Sequence, residues 1–268
     1  MSAAPASRVD SRLRLLALGV VAVHVALVWA LPHFPSQDGP VHVESALAAH
    51  TVASDPGSEL AAYFRARGGL DTNRFVAGFL RALFALGLAP ATAGKVVASL
   101  WFLVLPGAAW IAMRAMRLSG ELGARADLGV ALTVPVLGSR LVSLGFLNLL
   151  FGIALFPLVV VVFLRAMRMP DRWRVLTLAA LLLATYLVHV FAAAMAVGVL
   201  LAVALAQALA SAARDASERA SPRWSGLAVL GAALLPLLPF ALDFLGEQAV
   251  AGRVYHGFGW RLRQWLLL

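Results

Sequence analysis

Two carboxylates and an imidazole follow the first long apolar run of this chain within one short stretch, Pro35-Ser36-Gln37-Asp38-Gly39-Pro40-Val41-His42-Val43-Glu44. A carboxylate can orient an attacking hydroxyl or take its proton, and a neighbouring imidazole can tune that carboxylate or help hold a metal. His42 comes four residues after Asp38, so a helix that begins by Pro40 brings the two onto one face. Asp-Gly-Pro also turns the chain and caps a helix, which is the plain structural alternative for Asp38. For His42 the alternative is a surface imidazole. Glu44 and Glu59 are further acids of the same region with weaker claims, Glu44 as a substrate contact, and solvation on a polar helix face is the alternative for both. Asp38, His42 and Glu44 are of types that could bind Mg²⁺ or Mn²⁺, although no spacing demands it. Place is what singles the cluster out: ionisable groups at a membrane boundary are costly to keep there and mark sites.

That boundary is set by composition. The chain has 268 residues, of which 62% are hydrophobic and 13% charged, and its mean hydropathy is +0.87. Such a chain has lipid for most of its solvent. A formal charge of +9 would suggest nucleic acid in a soluble protein, but here arginines punctuate apolar spans as flanking charges do, so the lipid bilayer is the expected partner and nucleic acid is not. With no cysteine, disulfides, thiolate metal sites and cysteine nucleophiles are excluded.

The elements that must position the cluster follow from apolar runs. Leu15 to Leu31 follows Arg8, Arg12 and Arg14, and Trp29-Ala30-Leu31-Pro32 lacks the small-x-small pattern of a cleavage site, so it is expected to remain as an anchor. Residues 1–14 are then cytoplasmic, 15–32 form the first transmembrane helix and 33–92 an extracytoplasmic loop. Within the loop, Val41–Ala53 and Glu59–Arg67 read as short interfacial helices separated by Asp55-Pro56-Gly57-Ser58. Residues 93–245 are expected to form a six-span bundle with its clearest spans at Ala93–Met113, Phe146–Leu164, Val175–Ala210 and Leu227–Leu245. The third would reach roughly 54 Å as one helix against a hydrocarbon core of about 30 Å, so a helical hairpin with its tip near Tyr186–His189 is expected. Leu128–Gly138, interrupted by Pro135, reads as a short or broken crossing. This plan puts Arg114, Arg117, Arg125, Arg165, Arg168, Arg172, Arg174, Arg214, Arg219 and Arg223 inside, provided Phe75–Leu88, which contains Arg81, lies along the surface instead of crossing. The expected fold is an all-α polytopic membrane protein with about seven transmembrane helices and a long first outside loop.

An anchor helix, an aspartate soon after the membrane exit, surface-lying helices and a hairpin bundle together resemble the GT-C superfamily of membrane glycosyltransferases. More narrowly, Gln37-Asp38-Gly39-Pro40-Val41-His42, Gly145-Phe146-Leu147-Asn148-Leu149-Leu150-Phe151-Gly152 and Tyr186-Leu187-Val188-His189 are similar to segments of bacterial membrane proteins grouped with that superfamily. The resemblance covers roughly residues 12–245. It implies inverting transfer of a sugar from a polyprenyl-phosphate or polyprenyl-diphosphate carrier to an envelope acceptor, at the outer face of the cytoplasmic membrane. Asp38 matches the first-loop aspartate of that family, which implies a base or acceptor-orienting role with His42 beside it. Many members carry an acid in the second outside loop. Gly138-Ser139-Arg140-Leu141-Val142-Ser143 has none, which moves the expectation from a metal site to one aspartate beside an arginine-bound phosphate.

Arg140 suits that phosphate, because an arginine in an otherwise apolar turn is expensive unless it meets an anion. Snorkelling to a lipid headgroup is its alternative. Arg74 and Arg81 are candidates for the same role, and His189 could face the same cavity from the hairpin tip or simply be hydrogen-bonded. His24, in mid-span, is expected to pack against a polar neighbour, and Asp243 or Glu247 could supply a second carboxylate beyond the kinks at Pro236 and Pro239. Residues 246–268 read as an extracytoplasmic tail or as the truncated start of a further interfacial or transmembrane helix from Gly257 to Leu268. A permease subunit or a non-catalytic envelope assembly protein is the rival class, disfavoured by the absence of an internal repeat and by the gathering of polar residues at one membrane face.

Overall fold

The computed structural model describes residues 8–33, 35–64, 72–118, 126–213 and 225–251. Among them every regular element is helical. Arg8–Ala30 (α1) leads to Gly39–Ser54 (α2), Glu59–Tyr63 (α3) and Phe75–Ala85 (α4), and then to the long Pro90–Leu118 (α5). Ala126–Leu137 (α6) and the short Arg140–Leu144 (α7) precede Leu147–Arg168 (α8), Arg172–Val188 (α9) and Val190–Ala213 (α10). Ser225–Leu234 (α11) and Leu238–Ala251 (α12) are joined by a single 3-10 turn, Leu235–Leu237, at the paired prolines Pro236 and Pro239, which cannot donate to a preceding carbonyl.

Among the described residues four stretches are long and apolar enough to cross a membrane: Pro90–Met116, Leu147–Arg168, Val190–Ala210 and Ser225–Gly246. The anchor contributes a shorter apolar helix, Leu15–Ala30. Of the remaining expected crossings, α9 has 17 residues and α6 has 12, so α6 by itself extends only roughly 18 Å. The expected split of Val175–Ala210 falls at His189, whose extended backbone (φ −163°, ψ 118°) ends α9 before α10 begins one residue later. α4 has 11 residues and lies against α2 and the start of α5, so it is too short to span. α3 is shorter than expected: it ends at Tyr63 with Phe64 extended, and Arg67 lies outside the described residues, as do Arg125, Arg214, Arg219, Arg223 and the tail from Gly252.

The helices alternate in direction. α1 lies antiparallel to α5, with Trp29 Nε1 donating to Ser99 Oγ at 3.0 Å and, deeper in the bundle, the His24 and Phe102 rings 5.0 Å apart. α5 and α8 run together, Trp101 packing edge-on to Phe151 and, towards their far ends, Arg165 Nη2 donating to the Ala115 carbonyl at 2.6 Å. α9 returns and α10 descends again. At one end a Cβ on Gly152 would stand 2.5 Å from Ala192 Cβ and 3.5 Å from His189 Cβ, and at the other Gly226 lies against Met167, Gln207 and Ala204. Small residues at these crossings allow the close helix approach that packing in lipid depends on. Tyr186 Oη donates to the Phe240 carbonyl at 2.8 Å and brings α12 back to the first end. That end gathers α2, α4, α7 and the break at His189.

Candidate functional site

Asp38 stands at the N-cap of α2, but with φ −95° and ψ −6° its carboxylate makes no capping hydrogen bond. Capping is therefore not what the side chain does. The backbone fixes it instead. Gln37 N–H donates to the Ser143 carbonyl at 2.9 Å and Asp38 N–H to the Leu144 carbonyl at 3.0 Å, fastening the membrane-exit loop to the turn between α7 and α8. Gly145 closes α7 in the left-handed region at φ +80°, where glycine carries no steric penalty. A Cβ there would come within 2.8 Å of Gly39 N and 2.9 Å of Asp38 N, so glycine is what lets the two segments touch.

His42 lies one turn into α2 from Asp38, and its imidazole N–H donates to the Gly145 carbonyl. Burial holds its pKa below the usual 6.5, opposed by that hydrogen bond and by the Asp38 charge. Desolvation disfavours the cation, so His42 is neutral at pH 7. The expected approach of Asp38 and His42 is present. Glu44 is elsewhere, because two further residues turn the helix by about 200°; it is exposed and lines a groove with His33, Val43 and Leu80. Among the described residues no three of His, Asp and Glu converge as a ligand set, and Glu44 points away from the face that Asp38 and His42 share.

Arg140 opens α7 and is exposed, three residues before the Ser143 carbonyl that receives Gln37. Arg74 is half-buried before α4, and its carbonyl accepts Gly78 N–H at 2.8 Å. His189 belongs to the same end of the bundle but to another part of it, beside Gly152 and about 7.5 Å further along α8 than Leu147. Its Nδ1 accepts Phe191 N–H at 3.1 Å, and burial lowers its pKa, so it serves as a helix-break acceptor. Glu59 and Asp243 are exposed, and the Glu247 side chain lies outside the described residues. His24 bonds within its own helix, Nδ1 to the Val20 carbonyl at 2.8 Å, and stacks on Phe102 instead of meeting a polar neighbour on another helix.

Asn148 is the residue whose part only the structure displays. Its Oδ1 accepts Val76 N–H at 3.0 Å and its Nδ2 donates to the Asn73 carbonyl at 2.8 Å. A side chain of α8 thus caps α4, whose own N-cap residue Arg74 makes no side-chain cap. Asn73 turns the chain at φ +64°, a conformation asparagine tolerates better than most residues. Thr72 Oγ1 donates to the Tyr186 carbonyl at 2.7 Å, which joins the third quoted segment to the other two. A lone amide in an apolar, membrane-length run was the available signal, since a buried amide without partners is costly. Comparison with family models, with curated proteins and with solved structures gives no match.

Proposed function

We propose that this protein is an inverting membrane glycosyltransferase that moves a sugar from a polyprenyl-phosphate-type carrier to an envelope acceptor at the outer face of the cytoplasmic membrane. The observation that carries the proposal is Asp38, a membrane-boundary carboxylate not consumed by capping, held by two backbone hydrogen bonds with a neutral His42 beside it. In the proposed reaction an acceptor O–H or N–H bond breaks and its proton passes to Asp38 as the acceptor atom bonds to the sugar's anomeric carbon. The bond from that carbon to the carrier phosphate breaks, and its electron pair leaves on the phosphate, opposite Arg140. A positioned carboxylate is worth about 10²–10⁴-fold in rate in such a role, and preorganised positive charge acts where the leaving charge develops. His42 orients Asp38. Arg74 and His189 border the same end of the bundle as secondary substrate contacts.

The accompanying topology has about seven crossings, made by α1, α5, α6, α8, α9, α10 and the α11–α12 pair, with the N-terminus cytoplasmic and the end that carries Asp38 outside. It is supported by the alternating helix directions and by Arg165, Arg168, Arg172 and Arg174 clustering at the opposite end. The test uses membrane vesicles and a radiolabelled polyprenyl-phosphate sugar. Asp38→Asn should lower transfer by at least about 100-fold with the protein still folded, and an undiminished rate in that variant overturns the assignment. Solute movement across sealed vesicles without a new glycosidic bond would put the protein among transporters.

A further inference from the structure

The segment 35–44 runs between two apolar grooves. On one side, a groove of about 470 Å³ lies under α2, walled by Val43, Leu80, Pro90, Gly94, Val97 and Leu147; this is within the usual range for ligand sites. Glu44 and His33 supply its ionisable side chains, and both are exposed at the rim. On the other side, a groove of about 250 Å³ is lined by residues of α1, α5, α6 and α7, among them Leu27, Phe102, Leu137 and Val142, and by Ser139 in the turn between α6 and α7. Ser139 Oγ is buried there without a partner, and the next residue is the exposed Arg140. Pro35 lines this second groove and Gly39 and Pro40 the first, on the face of α2 turned away from Asp38 and His42.

We propose that the groove under α2 binds the apolar chain of an amphiphile whose head group donates hydrogen bonds and carries no negative charge. A free sugar or a peptide would have to desolvate many polar groups against walls that offer almost none in return; a hydrocarbon chain loses nothing there. Charge then separates the two grooves. The Glu44 carboxylate accepts from a hydroxyl or an ammonium and repels a phosphate, whereas Arg140 beside the second groove attracts one.

The experiment uses the whole chain in phosphatidylcholine nanodiscs with three diazirine-bearing probes of equal chain length, a primary alcohol, a primary amine and an alkyl phosphate. After irradiation the labelled peptides are mapped by mass spectrometry. The alcohol and amine are expected to label residues 39–47 and 80–97, and the phosphate to label 24–35 and 137–143. Ala91→Trp, at an exposed position on the wall of the first groove, should lower alcohol and amine labelling there at least tenfold while the melting temperature holds. Glu44→Lys should turn the preference of that groove towards the phosphate. Labelling of 80–97 that is indifferent to both substitutions, or that is as strong with the phosphate as with the amine in the unaltered protein, overturns the proposal.

Discussion

Asp38 and His42 form a pair whose electrostatics can be read in both directions. The Asp38 charge raises the pKa of His42 against the lowering effect of burial, so Asp38→Asn should move the His42 titration to still lower pH, followed by NMR of the ring resonances in detergent. An upward movement would mean that the carboxylate does not face the imidazole. The same depression has a sign for stability. Above pH 6.5 the imidazole is neutral in both folded and unfolded chains; below it the unfolded chain takes up the proton first, and stability falls until the folded imidazole protonates as well. The melting temperature of the unaltered protein, measured relative to His42→Gln, should therefore drop between pH 7.5 and pH 5.5. A constant difference would show that His42 titrates normally. Asp38 and His42 were legible as a pair from their spacing, because a four-residue offset in a helix is a contact. Glu44 looked like part of the same cluster only because chain proximity hides the rotation of the helix.

At the scale of elements, the turn at residues 143–148 holds both ends of the first loop. It receives Gln37 and Asp38 on one side and, through Asn148, Asn73 and Val76 on the other. Asn148→Leu would strand a buried N–H and a carbonyl, at a cost of about 1–3 kcal/mol for each unsatisfied group. Hydrogen exchange should accordingly speed up in the first turn of α4, with a lowered melting temperature. Gly145→Ala forces an L-residue into the left-handed region, at about 1–2 kcal/mol, and drives a Cβ into the Asp38–Gly39 backbone. Its loss of stability should exceed that of Gly198→Ala, where a Cβ meets nothing within 4 Å and helix propensity improves. Equal melting temperatures in the two glycine variants would count against the clamp. Helix lengths were largely legible: the apolar run from Val175 exceeds a bilayer, so it had to break, and it breaks at His189. α3 was not, because its short Glu-Leu-Ala-Ala-Tyr sequence carries no stop signal at Tyr63 that outweighs the Gly68-Gly69 beyond it.

For the whole molecule, sidedness is the decisive property. The chain has no cysteine, so single introduced thiols report without background. Ser58→Cys, in the turn between α2 and α3, should react with a membrane-impermeant maleimide added to intact cells. Met169→Cys, exposed between α8 and α9, should react only in inside-out vesicles. Labelling of both from one side would break the alternation of helices on which the proposed topology depends. By itself the sequence determined the helical, apolar character of the chain, the existence and approximate limits of its long apolar helices, and the place of Asp38 just after the first of its apolar runs. Those properties follow from composition and from short-range periodicity. Only the tertiary structure decided that Gln37–His42, Gly145–Gly152 and Tyr186–His189 meet at one end of the bundle, and that Asn148 caps a helix remote in sequence. It also decided that Glu44 lines the groove under α2 instead of sharing a face with Asp38 and His42. These depend on which way each helix face turns and on which backbones touch, and neither is encoded at the range over which sequence periodicity can be read.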